Sequence, residues 1–416
     1  PDGSKAAFVV SRQNKQENNY AADIYLAHCA AHSIKQLTHT GKEHDFVWDG
    51  ADTLLFPSCR CKEDEAPRFY QKTVFYRLSL SGGEAYRAFE VPYDVKEICP
   101  CGDGVHYAMA VRIDHTRPDP RTHTMEECED AEDYILLEEM PFATNGEGYT
   151  SRVRMTLALY NAETDETKLL TPPMFMLGAF RWAGKQLVYT GHSYTTVKAK
   201  TKGMYAYSLA TGETRTLVED GALAIYHIGE EEGTVLFTAS DLKQYGSASG
   251  QDFYKLSLAG GGCEKLLAHE LVPGTSPITD STYGSGNAFV CAQGAAYYIV
   301  LDRFQSHIRS IDAAGVQQEI LGFDGGIQML DMRGGATVFV GMQKNSLQEL
   351  YVLAGGKAVC ISAFNSPLLS ARAVQPVHYT PFQNRAGQQI DGWVLMPSGY
   401  EKGKKYPGIL EIHGGP

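Results

Sequence analysis

Thr73-Val74-Phe75-Tyr76-Arg77-Leu78-Ser79-Leu80-Ser81-Gly82-Gly83 is a short strand that runs into a glycine turn, and its recurrence decides the fold. Val74, Tyr76, Leu78 and Leu80 fall on one face and Thr73, Arg77 and Ser79 on the other, the period of two that a pleated strand requires. Tyr207-Ser208-Leu209-Ala210-Thr211-Gly212 and Tyr254-Lys255-Leu256-Ser257-Leu258-Ala259-Gly260-Gly261 repeat the pattern, and Asp23-Ile24-Tyr25-Leu26 shares its strand. Aligned on the turn, corresponding positions fall at Tyr25, Tyr76, Ala158, Tyr205, Tyr254, His307 and Tyr351, separated by 51, 82, 47, 49, 53 and 44 residues. These are seven copies of one unit, one of them stretched by an insertion.

Each copy has room for four strands. In the fourth these are Phe175 to Trp182, Lys185 to His192, Gly203 to Leu209 and Glu213 to Val218, and helical periodicity is nowhere sustained. Seven four-stranded units predict an all-β, seven-bladed β-propeller over residues 1–365, a radial arrangement that leaves only short strand edges. The first copy opens on the turn Pro1-Asp2-Gly3 and begins with what would be a second strand, Lys5 to Val10, so the first blade is expected to lack its innermost strand.

The 82-residue spacing places an insertion at about Ile113 to Thr150, between the second and third strands of the third blade. It holds eleven Asp or Glu against two Arg, most of the surplus behind the chain's net charge of -12. A charge run of this kind is ordinarily a solvated loop, yet long insertions on a rigid scaffold also line binding sites. Within it, Glu138-Glu139 is a candidate pair for a substrate's free α-ammonium group, which paired carboxylates can hold by charge-assisted hydrogen bonds.

The acidic balance argues against a nucleic-acid partner, because phosphate binding needs clustered positive charge. No apolar run is long enough to span a membrane and no signal peptide is visible, so no membrane association is expected. Nine scattered cysteines suggest a reducing, cytoplasmic setting. Two close pairs, Cys59-Arg60-Cys61 and Cys99-Pro100-Cys101, could in principle make a four-thiolate zinc site, but their spacing is shorter than zinc sites use, and structural thiols are the reading adopted. No metal or cofactor is expected, and a homo-oligomer is compatible with the sequence.

Beyond the seventh copy the pattern changes. Ala371 to Phe382 and Gln389 to Met396 read as strands, and Gly408-Ile409-Leu410-Glu411-Ile412 as a buried strand running into His413-Gly414-Gly415-Pro416. Three strands ending at His-Gly-Gly look like the opening of an α/β-hydrolase sheet over residues 366–416. With the opening Pro1-Asp2-Gly3, the third-blade stretch Asn145-Gly146-Glu147-Gly148-Tyr149 and above all Tyr406 to Pro416, the chain resembles the prolyl oligopeptidase family of serine peptidases, most closely its acylaminoacyl-peptidase branch.

The resemblance implies a serine-type peptidase acting on short peptides, with a propeller that limits access to the catalytic domain. It implies a Ser nucleophile on a Gly-x-Ser-x-Gly elbow, followed by Asp and His. None of these can be assigned in residues 1–416, which contain no Gly-x-Ser-x-Gly; the nearest match, Gly246-Ser247-Ala248-Ser249-Gly250, has Ala at the centre and lies in a propeller loop. Since the chain begins on Pro1 and stops inside a motif, the triad is expected beyond Pro416, and the 416 residues alone are expected to be inactive. By position, the Gly415 N–H, approached closely past Gly414, would be one oxyanion-hole donor. His413 would orient that loop. The alternative is a propeller that binds peptide or protein ligands without cutting them.

Overall fold

The computed structural model describes residues 2–275 and 286–412. They form seven antiparallel sheets in a ring, each with its strands in sequential order. The first blade has three strands, Lys5–Asn14, Asn19–His28 and Ser33–Gln36. The second comprises Val47–Trp48, Thr53–Pro57, Thr73–Ser79 and Tyr86–Val91, and the third Asp94–Pro100, His106–Asp114, Val153–Asn161 and Glu166–Leu169. In the fourth, Phe175–Ala183, Gln186–Ser193, Gly203–Ser208 and Thr214–Val218 follow the sequence expectation closely. The fifth is built from Ala224–Glu231, Thr234–Ser240, Asp252–Ser257 and Glu264–Leu267. Phe289–Ala292, Ala295–Asp302, Gln305–Asp312 and Gln317–Phe323 make the sixth. The seventh is Gly325–Arg333, Ala336–Gln343, Glu349–Ala354 and Lys357–Cys360.

All seven repeat positions, Tyr25 to Tyr351, lie on equivalent strands, and among the described residues the first blade has three strands and no inner one, as expected. Both faces of a blade are buried, because every blade is packed between two others. Val74, Tyr76 and Leu78 face the first blade, while Phe75 of the same strand packs on Tyr107 and Met109 of the third. Likewise Tyr107, Met109 and Val111 point toward the second blade and Ala108 and Ala110 toward the fourth. Period two thus serves two interfaces at once.

Among the described residues the ring closes on an apolar cluster. Ala27 of the first blade packs against Leu350, Val352 and Ile361 of the seventh, and the Phe364 ring lies edge-on to Phe8 and Tyr25. At the other end of the same seam, Gly3 (φ +81°) sits on the turn between the first two strands of the seventh blade, where a Cβ would collide with the Arg333 carbonyl oxygen.

After the seventh blade come a short helix, Ser366–Ser370, and two small antiparallel ladders: Val377–Tyr379 with Trp393–Leu395, and Phe382–Gln383 with Gln389–Ile390. The expectation of one strand from Ala371 to Phe382 is corrected, since strand begins only at Val377, past Pro376, which has no N–H for a ladder. The expected buried strand at Gly408–Ile412 is also not formed. Ile409, Leu410 and Ile412 are 97%, 84% and 81% exposed, and no described segment hydrogen-bonds to them. An apolar strand needs neighbours on both sides before it is buried, and the described residues supply none.

If the seam is held as described, Leu350→Ala should cost about 2–5 kcal/mol, as buried Leu truncations do. Gly3→Ala should cost more than Gly50→Ala. Both have positive φ and share that strain, but nothing stands within 4 Å of a Cβ at Gly50. Urea unfolding of the three variants measures this, and equal midpoints for the two glycine variants would contradict the close approach.

Candidate functional site

In an antiparallel four-stranded blade, the turn between the second and third strands lies at the opposite end from the other two turns, on the face that also carries the links between blades. The insertion of the third blade is such a turn. The segment after the seventh blade leaves on the same face, where its ladders dock on second-to-third-strand turns. Arg303 of the sixth blade pairs with Asp391 and donates to the Tyr379 hydroxyl, Phe304 packs on Tyr379 and Trp393, and Asn345 of the seventh holds the Gln375 carbonyl. Hydrogen bonds from Arg303 and Tyr379 hold the Asp391 carboxyl below its ordinary range. The acidic insertion and the segment after the seventh blade therefore share one face of the ring.

The insertion is tied down on both sides. Arg68 of the second blade pairs with Glu129 and Glu132, around the capped helix Met125–Asp130. Toward the fourth blade, Met140 N–H donates to the Thr196 carbonyl at 2.8 Å and Lys198 N–H to the Met140 carbonyl at 3.0 Å. Asn145-Gly146-Glu147-Gly148-Tyr149 forms the tip of a small exposed hairpin.

Glu138 and Glu139 are adjacent but placed differently. Glu139 is buried and grips the fully buried Arg154 guanidinium with both oxygens, one of which also accepts the Arg152 N–H at 2.7 Å. Arg154 donates further to the carbonyls of Met174 and Tyr194 and lies 3.8 Å from the Tyr194 ring centroid. Burial by itself raises the Glu139 carboxyl, but Arg154 and the Arg152 N–H outweigh it and hold the group below its ordinary range. Glu138, by contrast, is exposed and paired with Arg152 at 2.7 Å. Of the two carboxylates, Glu138 alone faces solvent.

His413, Gly414 and Gly415 lie outside the described residues. The Gly246–Ala248 turn that resembled an elbow is a short 3-10 turn whose Ser247 hydroxyl accepts from Lys200 at 2.6 Å. The nine cysteines are all free thiols. Burial pushes the Cys99 thiol up, and burial with Asp103 pushes Cys101 up to about 11, so neither is a ready thiolate. Among the described residues no group of three His, Cys, Asp or Glu is placed to hold a metal ion. No described helix is long and apolar enough to cross a membrane.

Two features of this face escaped the sequence reading. Arg154 interrupts the apolar run Val153 to Leu159, and a charge in such a strand demands a buried partner. Lys198, Lys200 and Lys202 alternate along one limb beside the insertion, a pattern visible in the sequence.

No family model matches the chain. Across its whole length it is 23% identical to the uncharacterized peptidase YuxL of Bacillus subtilis (strain 168), of which it covers 64%. Among solved structures, the acylaminoacyl peptidase of Pyrococcus horikoshii superposes with a TM-score of 0.73 at 16% identity, over 97% of this chain and 57% of that one. The β-propeller domain of the Trilobed protease from Pyrococcus furiosus, described as having an open velcro topology, aligns with a TM-score of 0.59 at 11% identity, over 88% of this chain and 96% of that domain. The chain thus spans less than two thirds of the relative it matches in sequence. It has the fold of the seven-bladed propellers carried by peptidases. In sequence it is similar to a peptidase, and in fold to the propellers of an acylaminoacyl peptidase and of the Trilobed protease.

Removing the Glu139 charge leaves Arg154 buried and unpaired, so Glu139→Gln should destabilise by about 3–5 kcal/mol. Glu138→Gln, at an exposed pair, should cost under about 1 kcal/mol. Because the folded-state pKa of Glu139 is depressed, its contribution is complete above the ordinary glutamate pKa and is lost as pH falls through the lower folded value. Urea unfolding from pH 6 down to pH 3 should therefore show a shallower acid loss in Glu139→Gln than in the parent chain.

Proposed function

We propose that the chain is the propeller half of a serine-type peptidase acting on short peptides, an acylaminoacyl-peptidase or a related oligopeptidase or exopeptidase, in which the ring limits access to the catalytic centre. The observation that carries this reading is the docking of the segment after the seventh blade on the face that holds the acidic insertion. Its apolar side chains, Val377, Trp393, Leu395, Ile409, Leu410 and Ile412 among them, stand exposed, as the first part of a larger sheet would be before the remainder covers it.

In this reading the nucleophile, Asp and His come from sequence beyond Pro416, and the Gly415 N–H serves as one oxyanion donor on a loop oriented by His413. A ring over the active-site mouth excludes folded proteins and admits flexible oligopeptides. Glu138 takes the amino end of a substrate, with Glu139 behind it as an anchor through Arg154. A cytoplasmic location fits the nine unpaired thiols.

The test is the reading frame past Pro416, where a Gly-x-Ser-x-Gly elbow followed by Asp and His is expected; a stop codon, or a hydrolase domain without the Ser, would leave a propeller that binds and does not cut. In the intact protein, Glu138→Gln should lower kcat/KM for peptides with a free amino end about tenfold, the loss of one charge-assisted contact, and leave N-acetylated ones nearly unchanged. Equal losses on both would remove Glu138 from substrate binding.

A further inference from the structure

Beside the acidic insertion lies a basic limb, Lys198-Ala199-Lys200-Thr201-Lys202, in the turn between the second and third strands of the fourth blade. The neighbouring insertion offers eleven carboxylates as partners for these lysines. Among the described residues none of the three has one. Lys200 donates to Ser247, and Lys202 donates to the Ile225 carbonyl at 3.0 Å, both neutral oxygens. Lys198 is fixed through its backbone on Met140, one residue from Glu139.

The second observation lies across the hairpin. Strand pairing in the fourth blade runs from Gln186 opposite Ser208 to Gly191 opposite Gly203, and one further step in this register brings His192 opposite Lys202. His192 is only 2% exposed, and neither ring nitrogen has a hydrogen-bond partner. Its ring stacks on Tyr194 at 5.4 Å, and Tyr194 also carries the Arg154 guanidinium. Buried polar groups are ordinarily satisfied, so the two orphaned nitrogens, one of them an N–H in the neutral ring, mark a place opposite a half-buried lysine where an acceptor for that N–H is missing. Burial and Lys198 lower the Lys202 ammonium; burial lowers the His192 imidazole, as do Lys202, Lys198 and Arg154, against Asp220, which raises it. Asp220 itself accepts the Gly221 N–H at 2.8 Å.

We propose that Lys198 and Lys202, with His192 behind them, form a binding site for the free C-terminal carboxylate of a short peptide. The proposal rests on the peptidase reading and narrows its substrates. Two lysine ammonium groups supply charge-assisted donors, and His192 supplies a ring N–H, the donor set that a carboxylate takes. The source is a peptide because Met140 bridges the limb to the insertion: a carboxylate site and the solvent-facing Glu138 carboxylate stand on the two sides of one backbone contact, matching the opposite charges on the two ends of a short peptide. A folded protein would rarely bring its termini together there, so the same pair of sites selects for length.

The experiment uses the 416-residue chain with ring-labelled histidine, the His192 signal being assigned from a His192→Asn variant. N-acetyl-trialanine with a free carboxylate is titrated against its C-terminal amide, both acetylated so that Glu138 plays no part. The acid should shift the His192 signal saturably and the amide should not, and Lys202→Gln should weaken the acid's binding about tenfold. Lys198→Gln, at an exposed position, should weaken it in the same direction and serves where the first variant fails to fold. An unmoved His192 signal, or equal shifts with acid and amide, would overturn the site. Inorganic phosphate saturating the signal at lower concentration than the peptide would assign it to a free anion and overturn the peptide assignment. None of these outcomes bears on the reading frame past Pro416, so this proposal can fail while the peptidase reading stands.

Discussion

Apolar packing between neighbouring blades is the interaction on which everything else in this molecule depends. Each of the seven blade-to-blade interfaces has its own buried cluster, and together they make a closed circle of seven cores with no single centre. The strand ladders run within blades; between blades the hydrophobic effect dominates, joined by scattered hydrogen bonds such as Arg77 to the Tyr107 hydroxyl and Trp182 to the Cys99 carbonyl. Among the described residues the cluster between the first and seventh blades has the fewest buried members of the seven, and no strand is shared across it. It is therefore the place where the ring would open first. Stability in such arrays is approximately a sum of blade and interface contributions, and the weakest interface sets the ease of local opening.

A ring made rigid in this way can carry a long turn without being distorted by it, and the third blade does. Its insertion would be a disordered acidic loop if nothing fixed it, since eleven carboxylates repel one another and bury little. Fixing comes from outside the insertion: Arg68 on one side, the Met140 backbone bridge on the other, and Arg154 rising from the blade beneath. A buried ion pair is a poor source of net stability compared with apolar packing, but it is demanding in geometry. Glu139 can meet Arg154 in one place only, and that places Glu138 at the surface beside Arg152. Adjacent residues in a sequence thereby acquire different roles, one holding position and one facing solvent.

The same distinction explains what could be read from the chain alone. The seven repeats were legible because period-two alternation and glycine turns are local signals, and the positions from Tyr25 to Tyr351 fall on equivalent strands without adjustment. The missing inner strand of the first blade followed from counting. Glu138 and Glu139 could be nominated but not told apart, because what separates them is Arg154, fifteen residues further on and meaningful only once Val153 to Asn161 is a strand buried on both faces. Gly408 to Ile412 has every local property of a core strand and is not one here, since a strand is completed by its neighbours. Alternate lysines at 198, 200 and 202 were in plain view; that none of them meets a carboxylate among the described residues is a fact of three dimensions.

Charge on this face is separated where it could have been neutralised. The insertion and the lysine limb are joined by two backbone hydrogen bonds around Met140, yet Lys200 and Lys202 turn to a serine hydroxyl and a carbonyl while Glu138 takes an arginine from its own loop. Exposed pairs contribute little stability, so leaving them unmade costs the fold almost nothing. What the separation leaves is a pair of opposite local fields a short distance apart on a rigid scaffold, on the face where the segment after the seventh blade docks. A dipolar ligand is attracted to such a surface and oriented by it, because turning it end for end would set like charges against each other. Orientation of that kind requires only that the two loops be held in register, and the ring of apolar interfaces holds the blades that bear them.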